Sequence, residues 1–96
     1  MNHFLIMYLP PRANFTENIT PEETTVIERH FEYLKGKLAE GALILAGRAE
    51  DARFGIAIIR AKSETEGREI MENDPAVAAG VFTGELLPFR LALGGE

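Results

Sequence analysis

The chain holds two histidines, fifteen Asp and Glu residues and no cysteine, so any acid–base chemistry rests on imidazole and carboxylate. His3 stands at the start of an apolar segment, an edge position. His30 is placed differently. It falls three residues after Ile27 and four before Leu34, so on a helix it borders the apolar stripe those residues make. A carboxylate in range would make such a histidine a proton carrier, because it holds the ring in one tautomer and leaves the other nitrogen free. Asp74 is the candidate, four residues after Ile70 and three after Met71, on the inward side of a second helix's end. Both residues also have plainer readings. A histidine at the edge of a core is often only packed and hydrogen-bonded, and an aspartate before proline is a good N-cap.

Other candidates carry less. Arg12 and Arg48 could hold an anionic substrate, or be solvated surface arginines. Phe82 could line a binding pocket, as could Tyr33 and Phe89, although aromatic residues also build cores and interfaces. No metal is expected, since no two histidines have ligand spacing and one His with one Asp is half a site. No glycine-rich phosphate loop or dinucleotide fingerprint is present, so no cofactor is expected either. A net charge of −5 without a basic run argues against nucleic acid as a partner. The absence of cysteine excludes disulfides and thiolate chemistry. The N-terminus lacks the basic region and cleavage site of a signal peptide, and no apolar run approaches the roughly 18 residues of a membrane span. A cytoplasmic protein is expected; Asn14 and Asn18 fit the glycosylation pattern but carry little weight without a secretion signal.

The elements that must position these residues follow from local signals. Phe4 to Leu9 is continuously apolar and stops at Pro10-Pro11, which predicts a strand buried on both faces. Residues 10–19 form a polar loop. Thr20-Pro21-Glu22-Glu23 is a capping box with proline at the first helical position, and Ile27, Phe31, Leu34 and Leu38 continue it as one buried stripe up to Gly41. Ala42–Ala46 and Gly55–Ala61 predict a hairpin around the charged turn 49–53. Ser63 and Glu66 form a second capping box on a helix that carries Ile70 and Met71 inward and ends at Asn73. Pro75 opens a short apolar turn closed by Gly80. Val81 to Leu93 predicts a long last strand, interrupted at Gly84 and Pro88 and lying at a sheet edge. The order β-α-β-β-α-β, in one domain over residues 1–96, is the ferredoxin-like α+β arrangement, an antiparallel sheet with two helices on one face. That topology allows His30 and Asp74 to meet over the sheet.

Strand residues of both parities are apolar: Phe4, Ile6 and Tyr8 against Leu5, Met7 and Leu9, and Ile44 against Leu43 and Leu45. A sheet covered on one face should alternate. Stacking the second face on a second copy is the simplest cover, so a homodimer is expected.

The whole chain resembles the YciI-like proteins. The matching pieces are Phe4–Leu9, His30-Phe31 with Glu40-Gly41, Leu45-Ala46-Gly47, the specific stretch Asn73-Asp74-Pro75-Ala76-Val77-Ala78-Ala79-Gly80-Val81, and Glu85-Leu86-Leu87-Pro88-Phe89. The resemblance implies a dimeric α+β barrel and a catalytic dyad matching His30 and Asp74. Many such proteins follow the alanine-glycine pair with proline, where this chain has Arg48 at the expected pocket rim, so relatives' substrates are not carried over.

Three functions fit. One is a cofactor-independent enzyme using His30 and Asp74 for general acid–base chemistry on a small organic molecule, in an isomerisation, elimination or lyase step. Another is a non-catalytic small-ligand-binding or accessory protein. The third is a cofactor-free oxygenase on the same scaffold. Oxygen consumption separates the first from the third, and a pocket filled by side chains would favour the second.

Overall fold

The computed structural model describes residues 2–94. Its strands are β1 (Asn2–Leu9), β2 (Leu43–Arg48), β3 (Gly55–Ala61) and β4 (Thr83–Pro88), and its helices are α1 (Pro21–Glu40), α2 (Glu64–Glu72) and the single turn α3 (Pro75–Ala78). A 3₁₀ turn, Phe15–Glu17, lies between β1 and α1. The strands form one sheet in the order β2-β3-β1-β4, every neighbouring pair antiparallel. This is the ferredoxin-like α+β fold.

The helix ends follow their local chemistry. Thr20 Oγ1 accepts the Glu23 N–H at 3.1 Å and the Glu23 carboxylate accepts the Thr20 N–H at 3.0 Å, which satisfies two donors the first helical turn leaves open. Gly41 ends α1 at φ 85°, a left-handed conformation that costs glycine nothing. Ser63 Oγ accepts the Glu66 N–H, but the Glu66 carboxylate takes the N–H of Lys62, not that of Ser63. The second capping box therefore closes one residue further back than expected.

Phe4, Ile6 and Tyr8 of β1 are buried on the helix side, facing Ala57 and Ile59 of β3 and Leu86 of β4 across the ladders. Met71 of α2 and Leu34 of α1 complete this core. Gly67 is where α2 comes down on the sheet: a Cβ there would stand 3.3 Å from Phe4 Cδ2.

Three expectations change. β1 is fully buried on one face only, with Leu5 and Met7 partly buried on the other. The last strand is six residues long: it ends at Pro88, whose nitrogen faces away from β1, and after one more bond, from the Phe89 N–H to the His3 carbonyl at 3.0 Å, the chain is irregular. It does occupy an edge. The α1 stripe is not core throughout, because Phe31 is 61% and Leu38 54% exposed. The helix is turned so that Val26, His30 and Tyr33 lie inward of them. No helix among the described residues is long and apolar enough to cross a membrane.

Candidate active site

Pro75 holds Asp74 out of the helical region, at φ −63° and ψ 126°, so α2 stops and a rigid corner forms before α3. The Asp74 side chain is fully buried. Its Oδ1 accepts the Ala76 N–H at 2.9 Å, and its Oδ2 accepts the Tyr8 hydroxyl at 3.0 Å. His30 Nδ1 lies 2.9 Å from Oδ1 and 2.8 Å from Oδ2. The cap and the histidine pair, alternatives in the sequence, thus coexist in one carboxylate. A carboxylate only accepts, so Nδ1 is assigned the proton, and Nε2 of the neutral ring becomes the lone-pair nitrogen. Among the described residues nothing in the chain bonds Nε2, and His30 lines a cavity. Burying the carboxylate would be costly without partners; here three donors from three elements supply them.

Tyr8 was not singled out by its sequence, although a phenol on the buried parity of a strand needs a hydrogen-bond partner. Burial, and then the charge of Asp74, raise its pKa above the ordinary value, so it stays a donor. Tyr33 is pushed up to about 12 by burial, by Asp74 and by Glu40. Its hydroxyl donates to the Ile70 carbonyl at 2.7 Å and ties α1 to α2 just before the corner.

Aromatic edges hold the imidazole. The Tyr8 ring meets it at 5.1 Å and 84°, and the Phe82 ring at 5.3 Å and 89°. Phe15, buried under the 10–19 loop, packs at 6.0 Å on Phe82. The cavity beside His30 has a volume of about 1150 Å³ and lies between α1 and the β2–β3 edge of the sheet. Phe82 and Arg48 both line it. Arg48 Nη1 bonds the carbonyls of Ala49 and Glu50. Arg12 is elsewhere: its guanidinium donates to both carboxylate oxygens of Glu23, at 2.7 and 2.8 Å, and to Asn18. It clamps the loop and does not line the cavity. Among the described residues no three His, Cys, Asp or Glu side chains converge as metal ligands.

The YCII-related domain model matches residues 1–90. The chain belongs to that family. No curated protein sequence matches it. Among solved structures it is similar to the 5-chloro-2-hydroxyhydroquinone dehydrochlorinase of Burkholderia phenoliruptrix, in complex with 2,5-dihydroxybenzoquinone. The TM-score is 0.66 at 20% identity, over 91% of this chain and 93% of that one. At that identity the likeness is one of fold.

Proposed function

We propose that this YCII-related protein is a cofactor-independent enzyme that moves a proton on a small organic molecule, in an elimination, isomerisation or lyase-type step, with His30 and Asp74 as its dyad. One observation carries the reading: a fully buried carboxylate accepts from Nδ1 of His30, a residue that lines the cavity, and leaves its Nε2 unbonded among the described residues. Nε2 takes a proton from substrate carbon or oxygen, Asp74 stabilises the imidazolium that forms, and the ring returns the proton to the leaving group or to a second position. Phe82 bears on the imidazole and Arg48 on the cavity mouth. The neighbouring fold being that of a dehydrochlorinase, a lyase-type enzyme holding a dihydroxybenzoquinone, supports a small ring-bearing substrate.

The test is turnover of chlorinated and hydroxylated hydroquinones, followed by absorbance without oxygen. His30→Ala and Asp74→Asn should each lower the rate by about 10²–10⁴ in a folded protein, the usual contribution of a positioned acid–base group. Asparagine can still cap Ala76, but its amide nitrogen must face a ring nitrogen that donates or a hydroxyl that does. The imidazole escapes by moving its proton to Nε2, which removes the base. Full activity in Asp74→Asn would leave Asp74 a cap alone; turnover that begins only when oxygen is admitted, and consumes it, would make the protein an oxygenase instead.

The same reading includes a homodimer. Leu5, Met7, Leu45 and Leu87 lie on the sheet face that no helix covers, with Leu45 49% and Leu87 37% exposed. A specific interface there should bury about 1,200–2,000 Å². Light scattering at micromolar concentration should report twice the chain mass, and a monomer would remove the dimer from the reading.

A further inference from the structure

The apolar stripe of α1 is only partly explained by the core. Leu34 is buried, but Phe31 and Leu38 are more than half exposed, and all three line the cavity that begins at His30. Across from them β2 presents Leu43 and Ala46, the residues paired with the helix-side Ile59 and Ala57. Exposed apolar surface of this extent, continuous with a site, ordinarily marks where a ligand lies. The cavity's size points the same way. About 1150 Å³ exceeds the roughly 300–1,000 Å³ of pockets for drug-sized ligands, so a single-ring substrate beside His30 would leave most of it empty. The chemistry is also unequal along its length. His30 and Tyr8 stand together, their ring centroids 5.1 Å apart, and Thr16 also lines the cavity. Leu34 and Leu38 follow His30 on successive helical turns, and the charged residues Glu28, Glu32, Lys35 and Arg48 that border the cavity are exposed.

We propose that the ligand is an amphiphile, with a small hydrogen-bonding head at His30 and a linear apolar tail lying between α1 and β2 toward Leu38 and Leu43. This rests on the reading of His30 as the substrate's site. The tail groove runs about 12 Å, the rise of the eight residues from His30 to Leu38 at about 1.5 Å each. The far end stays open at the β2 edge, so tail length is tolerated beyond that point without further gain.

Phenol and its 4-propyl, 4-pentyl and 4-heptyl derivatives are the probes, titrated into the protein by NMR. The His30 ring signals report the head, and the methyls of Leu34, Leu38 and Leu43 report the tail. Affinity should rise about two- to fourfold for each added methylene, with Leu38 and Leu43 shifting only for the longer chains. Leu38→Glu should flatten that rise, measured as the ratio of heptylphenol to phenol affinity within the variant; the position is half-exposed, so the fold should survive. Phenol that moves His30 while longer tails bind no better would overturn the tail groove and leave the proposed function standing. The groove is likewise overturned if the rise persists unchanged in Leu38→Glu, or if the shifts map to Leu5 and Leu87 on the uncovered sheet face. If no probe moves His30, both the amphiphile and the reading it rests on fall.

Discussion

α2 lies close on β4, β3 and β1, whereas α1 leans on α3 and meets the sheet chiefly at β2. The approach of α2 depends on Gly67, which leaves room for the Phe4 ring and Leu86, and on Met71, packed against Gly84. Nothing comparable brings α1 down. Leu34 is its one fully buried apolar residue, and beside it His30 and Tyr33 send polar atoms to Asp74 and to the Ile70 carbonyl at the end of α2, so α1 is anchored largely by polar bonds at the corner and not by a full apolar face. One half of the molecule is therefore closed core and the other an open cavity. The His30–Asp74 pair sits at the seam between them, where the closed half supplies rigidity and the open half supplies access. A site built this way keeps its carboxylate dry while its imidazole stays reachable.

The largest contrast should appear in truncations on the two sides. Ile59 is fully buried in the closed half, and Ile59→Ala should cost about 2–5 kcal/mol, the lost transfer energy plus a cavity. Leu38→Ala, on the open side, should change stability by no more than about 0.5 kcal/mol, as at ordinary surface positions. Urea midpoints at unchanged m would measure both. Equal losses would mean that α1 buries its stripe after all, and the two halves would not differ as described.

A smaller effect tests the seam itself. Tyr8 has its ring in the core and its hydroxyl on Asp74. Tyr8→Phe keeps the packing and removes one donor from a buried carboxylate that retains His30 and the Ala76 N–H. Hydrogen bonds to charged groups contribute about 1.5–3 kcal/mol, so a loss near the lower figure is expected, as the remaining donors close in. A variant as stable as the parent would show that the carboxylate needs only two donors, and would locate the seam's rigidity in the Pro75 corner.

How much of this is legible in the sequence depends on the range of the signal. The capping box at Thr20, the Asp74-Pro75 break and the Gly41 end are encoded within a few residues, and they place His30 and Asp74 on their elements. The ferredoxin-like order follows from the same local punctuation. What is not legible comes from pairs distant in sequence. Tyr8 and Asp74 are 66 residues apart, and nothing local marks that hydroxyl as the carboxylate's third partner. Arg12 reads as a free cation because Glu23, its partner, already has a role as a helix cap. The α1 stripe misleads for a related reason: periodicity tells which residues share a face, not whether the sheet comes up to meet it.

The smallest expected effect concerns the loop that walls the cavity above His30. Arg12 joins it to α1 through Glu23 and to itself through Asn18, and the same loop buries Phe15 against Phe82. The hydrogen bond from Arg12, and then the one from the Thr20 N–H, lower Glu23 from its ordinary 4.5 to about 2. A carboxylate depressed in the folded state lends its stabilisation in full above the ordinary value and loses it as pH falls toward the depressed one. The loop's hold on α1 should therefore be complete above about pH 4.5 and weaken between there and about pH 2. The pair lies at the surface, where solvent and salt screen it, so the global fold should hardly register the change. Amide exchange in residues 12–18, compared with the β3 amides over that interval, would isolate it. In Glu23→Gln the group that titrates is gone, so the loop should exchange faster at pH 6 and show no added acceleration on acidification. Parent and variant loops that loosen alike as the pH falls would show that other carboxylates, and not this clamp, govern the wall of the cavity.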